Sequence, residues 1–258
     1  MAKIAYTLPV THVEHYTESY FRFRIKRPRG FRFTSGQFIM LGLMIDDKPV
    51  MRAYSMASPH WDEELEFYSI IVQDGELTSR LQHIKVGDEI IMSGKPVGTL
   101  TLRSLSGGGK RLFMLSTGTG VAPFTSLIRD EDTYERYDEI YLTQTCRQIK
   151  DLQYAQQRIE EAKNCPLVGE DAQKKLHFYG SVTREPYERE GRITDLIESG
   201  KLFEDLGISG LNPETDRVMI CGSMDMLKDT RVILDAQGLS KGSGHKPAHY
   251  MWEKAFTG

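Results

Sequence analysis

The feature that most constrains this chain is a change of character at the glycine-rich stretch 104–110, SLSGGGK. Before it, short β-branched and aromatic runs such as 20–26, 37–43, 65–72 and 89–92 follow one another. They are separated by Arg29-Gly30, Asp46-Asp47, Ser58-Pro59, Asp74-Gly75 and Gly87-Asp88. Many short strands at close spacing predict an antiparallel barrel or sandwich. Within one of them Phe21, Phe23 and Ile25 take one face and Arg22, Arg24 and Lys26 the other, as a period of two requires. After the glycines the order is strand, turn, helix, repeated. RLFMLS is followed by a glycine turn and a helix from Pro123, EIYLTQT by a helical composition over 151–164. LHFYG and RVMICG come next, and Ser223 can cap a helix carrying Met224, Leu227 and Leu234. Strands alternating with helices predict a parallel sheet covered on both faces. The chain therefore reads as an antiparallel β-barrel domain over residues 1–103 and an α/β parallel-sheet domain over residues 104–258, hinged at 104–110.

At 258 residues, each domain has enough chain for its own core. The net charge of -3 argues against general binding of nucleic acid, which needs a basic surface. No run approaches the roughly 18 apolar residues of a membrane helix, and the N-terminus does not read as a secretory signal, so no membrane association is expected. Cys146, Cys165 and Cys221 are odd in number and widely spaced. They fit neither a disulfide framework nor a metal or iron–sulfur site, and they point to the reducing cytoplasm.

Four short motifs can carry chemistry. In Arg52-Ala53-Tyr54-Ser55 an arginine can fork onto a diphosphate, a tyrosine can stack on a flat ring and a serine can hydrogen-bond a ring nitrogen. Alone, the same residues suit an exposed arginine, a half-buried tyrosine and a turn serine. In 74–81, DGELTSRL, a glycine turn feeds a short helix whose first amides suit a phosphate; an ordinary capped helix is equally consistent. In 116–124, STGTGVAPF, glycines follow an apolar strand and precede a helix, the context a dinucleotide needs, although the full GxGxxG is missing. A purely structural strand–helix turn also fits. Cys221-Gly222-Ser223 ends a strand where an open α/β sheet binds ligands, and Cys221 alone reads equally as a small buried apolar residue.

Taken together and in this order, RAYS, GELTSRL, GTGVAPF and CGS resemble the ferredoxin–NADP reductase family over essentially the whole chain, and the tail resembles its bacterial branch. The resemblance implies that the barrel holds FAD and the α/β domain NADP(H). It places Arg52 on the FAD diphosphate, Ala53 and Tyr54 against the isoalloxazine, and Ser55 near its N5. Ile70, Val72, Leu77, Thr78 and Ser79 complete the FAD cradle. Thr117, Gly118, Thr119 and Gly120 line the NADP path, and Cys221 lies beside the nicotinamide. The segment 183–192 resembles the loop that reads the 2′-phosphate, through Thr183, Arg184 and Arg192, with Arg147 as a further cation. The charges of Glu185, Glu188 and Glu190 make the same loop readable as a solvated charge run. Glu253 matches a catalytic-site carboxylate. Ala255 stands where plastid members end in a stacking tyrosine, and Phe256 is expected on the adenine half of FAD.

The activity implied is hydride transfer between NADP(H) and FAD, and single-electron exchange between FAD and a separate ferredoxin or flavodoxin, with Ser55, Cys221 and Glu253 at the reacting centre. Two other readings share parts of this pattern. A reductase subunit of an oxygenase complex often carries a cysteine cluster, which is missing here. A non-catalytic nucleotide sensor needs no flavin cradle. Because such carriers are acidic, the cationic run Arg22, Arg24, Lys26, Arg27, Arg29 and Arg32 is expected to be their docking face.

Overall fold

The computed structural model describes residues 3–255. Its first sheet contains β1 (Ile4–His15), β2 (Tyr20–Lys26), β3 (Phe38–Ile45), β4 (Lys48–Ser55), β5 (Glu64–Ile70) and β6 (Glu89–Ser93). They run in the order β4-β3-β6-β1-β2-β5, and the neighbours are antiparallel. β1 pairs with β6 through its first half and with β2 through its second, with a register shift between Val10 and His12. Such an irregularity bends and twists a strand, which lets one long strand serve both walls of a barrel. Phe21, Phe23, Ile25, Leu41, Phe67 and Ile90 fill the interior.

The second sheet contains β7 (Arg111–Thr117), β8 (Glu139–Cys146), β9 (Leu176–Val182), β10 (Asp216–Gly222) and β11 (Tyr250–Lys254). All are parallel, in the order β11-β10-β7-β8-β9. Helices cover both faces, so the central strands such as β8 and β10 are buried almost throughout instead of on alternate residues. The chain starts at β7, moves outward through β8 and β9, then crosses back to β10 on the other side of β7. The connections therefore reverse between β7 and β10, the place where an open α/β sheet binds ligands. Residues 250–254, which precede the tail expected over the flavin, form the fifth strand. Phe256 lies outside the described residues. Among the described residues no helix is long and apolar enough to cross a membrane.

Two sequence expectations are corrected here. The glycine-rich stretch is not a loose hinge. Arg136 donates to the carbonyls of Leu102, Leu105 and Ser106, and Arg217 to those of Ser106 and Gly107. Carbonyls in an irregular stretch need donors, and two guanidinium forks supply them. Nor are Arg22 and Arg24 part of a free cationic surface. Alternation does put them opposite Phe21 and Phe23, but that face is covered by the helix Gln153–Lys163 of the second domain. Both arginines donate to the buried carboxylate of Glu66, at 2.7 and 2.8 Å, and Arg158 reaches the same oxygen from the other domain at 3.0 Å. Arg27 is spent on the carbonyls of Phe31, His60 and Asp62. Of the run, Lys26, Arg29 and Arg32 stay exposed.

Candidate functional site

At the reversal point, β7 ends in Thr117 and the chain turns at Gly118, whose φ of 53° lies in the left-handed region that favours glycine. Gln144, buried on β8, donates from Nε2 to the Gly118 carbonyl at 3.0 Å and so fixes the turn. The Thr117 hydroxyl accepts from the Ser223 amide at 3.2 Å, tying the ends of β7 and β10 together. Ser223 caps the helix Met224–Ala236, accepting from the Met226 amide. At Gly120 the loop passes directly over the end of β10. A Cβ there would lie 2.1 Å from the Cys221 carbonyl oxygen, a backbone atom with no freedom to rotate away. Gly120→Ala is therefore expected to cost about 1–3 kcal/mol of stability and to displace the loop. Thermal melts with nucleotide titration check this; an unchanged melt and unchanged affinity would show that the close approach is not required.

This loop floors a cavity of about 380 Å³. Thr117, Gly118 and Thr119 line it, together with Arg147 beyond β8, Thr183 beyond β9, and Arg192 at the start of the helix Ile193–Glu198. The barrel contributes Tyr20 and Ile70, and Ala255 closes the same cavity. Arg184 does not line it; its amide donates to the Arg147 carbonyl at 3.0 Å, which leaves it beside the rim. The acidic residues of 183–192 do not neutralise these cations. Glu185 accepts from the Ile149 amide, Glu190 from the Tyr187 amide, and Glu188 lies 3.8 Å from Arg189. Among the described residues no carboxylate pairs with Arg147, Arg184 or Arg192.

On the barrel, Arg52 donates to Glu76 at 2.9 Å, linking the RAYS strand to the GELTSRL turn. Arg52, Ser55, Ile70, Val72 and Ser79 are half-buried. The other cradle residues point inward. Ala53 is buried, Leu77 is fully enclosed in the barrel core, and the Thr78 hydroxyl is used by both the amide and the carbonyl of Val72. Tyr54 is only 9% exposed, with its ring edge-on to Phe23 and Phe67 and its hydroxyl 3.0 Å from that of Ser69. Burial pushes that hydroxyl up to about 12.

Cys221 and Glu253 sit side by side on β10 and β11. The thiol is fully enclosed, and burial together with Glu253 raises it far above the ordinary cysteine range. It therefore remains a protonated thiol, and the part of Cys221 that meets the glycine loop is its carbonyl. The Glu253 carboxylate accepts from the amide and hydroxyl of Thr99, across the domain boundary. Burial raises its pKa despite those hydrogen bonds.

The family model described as oxidoreductase FAD-binding domain matches residues 8–102, and that of the oxidoreductase NAD-binding domain matches residues 114–232. The chain is 53% identical over 250 residues to a flavodoxin/ferredoxin–NADP reductase of Rhodobacter capsulatus, covering 96% of this chain and 92% of that one. It is 49% identical over 254 residues to a ferredoxin–NADP reductase of Pseudomonas aeruginosa, covering 98% of each. This chain belongs to the ferredoxin–NADP reductase family. Among solved structures, the ferredoxin NADP+ reductase of Neisseria gonorrhoeae with bound FAD and NADP is 28% identical, with a TM-score of 0.86 over 97% of this chain and 98% of that one.

The residues present fit the groups that a ferredoxin–NADP reductase holds. Three donors free of carboxylates, Arg147, Thr183 and Arg192, converge with glycine backbone on one cavity, which suits an anionic dinucleotide. Arg52, released from an exposed carboxylate, offers a fork to a diphosphate, and Ser55 and Ser79 offer hydroxyls. Arg52, Ser55, Ile70, Val72 and Ser79 keep exposed surface that can meet FAD, while Tyr54 and Leu77 pack in the barrel core and the Thr78 hydroxyl is bonded to Val72. The reductase site also contains Tyr20, Cys146 and Asp225, which its motifs do not announce. Asp225 had one visible cue, its place in the first turn after the cap Ser223. Tyr20, far upstream on a barrel strand, had none.

Proposed function

We propose that this chain is a ferredoxin/flavodoxin–NADP(+) reductase. It carries hydride between NADP(H) and FAD, and single electrons between FAD and a separate ferredoxin or flavodoxin. The observation that carries the reading is the cavity at the β7/β10 reversal, built by both domains and lined by arginines with no carboxylate partner. FAD, when bound, supplies the conversion between two-electron and one-electron transfer.

The roles of the protein groups follow from their chemistry. Arg147, Thr183 and Arg192 read the 2′-phosphate, with Arg184 at the rim. Thr117 to Gly120 let the diphosphate approach the backbone. Arg52 exchanges Glu76 for the FAD diphosphate. Ser55 offers its hydroxyl to the reacting end of the flavin, and Ile70, Val72 and Ser79 border it. Cys221, held as a thiol, acts as a positioning group and not as a nucleophile. Glu253 clasps Thr99, so its contribution is to hold the two domains in register at the site. An acidic carrier would meet the cations that remain exposed, Lys26, Arg29 and Arg32 among them. A cytoplasmic location accords with three free cysteines.

The test is the absorption spectrum of the purified protein, followed by NADPH-driven reduction of an added ferredoxin or flavodoxin. Bound FAD and carrier reduction are expected. Protein that cannot be loaded with FAD would overturn the reading. In the same assay Arg52→Ala should lose FAD on gel filtration roughly tenfold more readily, since one charge-assisted contact is gone. Full retention would remove Arg52 from its assigned role.

A further inference from the structure

We infer that Tyr20 is a nucleotide-binding residue whose hydroxyl hydrogen-bonds the nicotinamide–ribose half of the dinucleotide, and that a tyrosine stack spanning both domains holds it in place. This rests on the reading that the cavity takes NADP(H). Tyr20 opens β2 and lines the cavity from the barrel side. Its ring is 7% exposed, and its hydroxyl faces the glycine loop, 3.3 Å from where a Cβ on Gly118 would stand. Among the described residues that hydroxyl has no hydrogen-bond partner. Burial, with Cys146 and Asp151 nearby, raises it above the ordinary tyrosine range, so it stays a donor at neutral pH.

The ring is held from behind. Tyr20 stacks on Tyr68 with centroids 5.6 Å apart and planes 19° apart, and Tyr68 lies flat on Tyr154 at 3.8 Å and 7°. Tyr154 meets Tyr16 edge-on at 5.5 Å. Tyr16, Tyr20 and Tyr68 belong to the barrel, while Tyr154 comes from the helix Gln153–Lys163 and packs against both Tyr68 and Tyr16, which also meet edge-on at 6.2 Å. The far end is anchored: Tyr154 donates to Glu66 at 2.9 Å and Tyr16 to Gln157 at 2.5 Å. Among the described residues the hydroxyls of Tyr20 and Tyr68 have no such partner, and of the two Tyr20 lines the cavity. A stack shared by both domains in this way fixes the height of the barrel wall above the sheet of the other domain.

The half of the ligand follows from position and charge. Thr183 lies beyond β9, two strand spacings or roughly 10 Å from the β7 loop that Tyr20 faces. Thr183 therefore marks the outer end, with Arg147 beyond β8 between it and the β7 loop. Tyr20 takes the end at the reversal point, beside Ile70, its partner across β2 and β5. A neutral phenol can both donate to and accept from a ribose hydroxyl, and can pair with a carboxamide. Ala255 in the same cavity brings no ring, and among the described residues that line the cavity Tyr20 is the aromatic one.

The experiment measures binding of NADP+ and of adenosine 2′,5′-bisphosphate, which lacks the nicotinamide half, to the FAD-loaded protein by calorimetry. Tyr20→Phe keeps the ring and removes the hydroxyl. It should weaken NADP+ about 3–10-fold and leave the bisphosphate unchanged. Tyr68→Leu, which removes the ring behind Tyr20, should act in the same direction with flavin content retained. Equal weakening of both ligands, or no change in either, overturns the assignment of Tyr20. A wild-type protein that binds neither ligand overturns instead the reading of the cavity, and the inference with it.

Discussion

Glu66→Gln is expected to lower stability by about 3–5 kcal/mol, the cost of leaving buried charges without their partner. Glu66 is fully buried on β5. One of its oxygens accepts from Arg22, Arg24 and Arg158, and the other from Arg158 and the Tyr154 hydroxyl. Arg158 is itself fully enclosed. A glutamine would keep the shape but turn an amide donor toward guanidinium donors. Burial by itself would raise the Glu66 pKa; Arg158, Arg129, Arg24 and Arg22 outweigh it and bring it to about 2. The folded value is depressed, so the stabilisation is fully present above about pH 4.5 and is lost as the pH falls toward 2. A shift of that size corresponds to about 3 kcal/mol at neutral pH. Urea denaturation at pH 7 and through the acid range checks this. The gap between wild type and variant should be large at pH 7 and shrink as the pH falls. Equal midpoints at pH 7, or a gap that does not change with pH, would show that the cluster contributes little.

That cluster marks where sequence reading stops. Alternation along β2 correctly separated Phe21 and Phe23 from Arg22 and Arg24, but a period of two says only that two faces exist. It does not say what covers each, and here the cover is a helix some 130 residues downstream. The switch in period at the glycine-rich stretch did expose the order of barrel and parallel sheet, because burial on one face and burial on both leave different patterns in a strand. β11 was hidden for the opposite reason: five residues of mixed polarity near the end of a chain become a strand only because β10 offers an open edge.

The candidate site divides along the same line. Thr117 to Gly120 and Thr183 to Arg192 were legible since glycine beside a strand end and cations in a loop are themselves the signal. A motif names residues without saying what else their side chains do: Tyr54 and Leu77 also pack into the barrel core, and the Thr78 hydroxyl bonds Val72. Tyr20 could not be found, because a tyrosine at the start of a strand reads as core until the second domain is placed against it.

Arg192→Ala is expected to reduce the preference for NADPH over NADH by on the order of tenfold or more, the worth of one charge-assisted phosphate contact. Arg147→Ala should act similarly. Both side chains line the cavity, and neither forms an ion pair with a carboxylate among the described residues. Arg184→Ala should cost less, because Arg184 stands at the rim and is tied to the site through its amide contact with the Arg147 carbonyl. If Arg147 and Arg192 read the same phosphate from different strand ends, the double variant should approach the product of the single effects, about 100-fold, with shortfall measuring their coupling. The measurement is kcat/KM with each nucleotide for the wild type and all four variants. The phosphate contacts should appear as loss with NADPH and near-constancy with NADH. Equal loss with both nucleotides would move these arginines to the shared diphosphate. A dominant effect of Arg184→Ala would mean that the rim, and not the cavity, reads the phosphate.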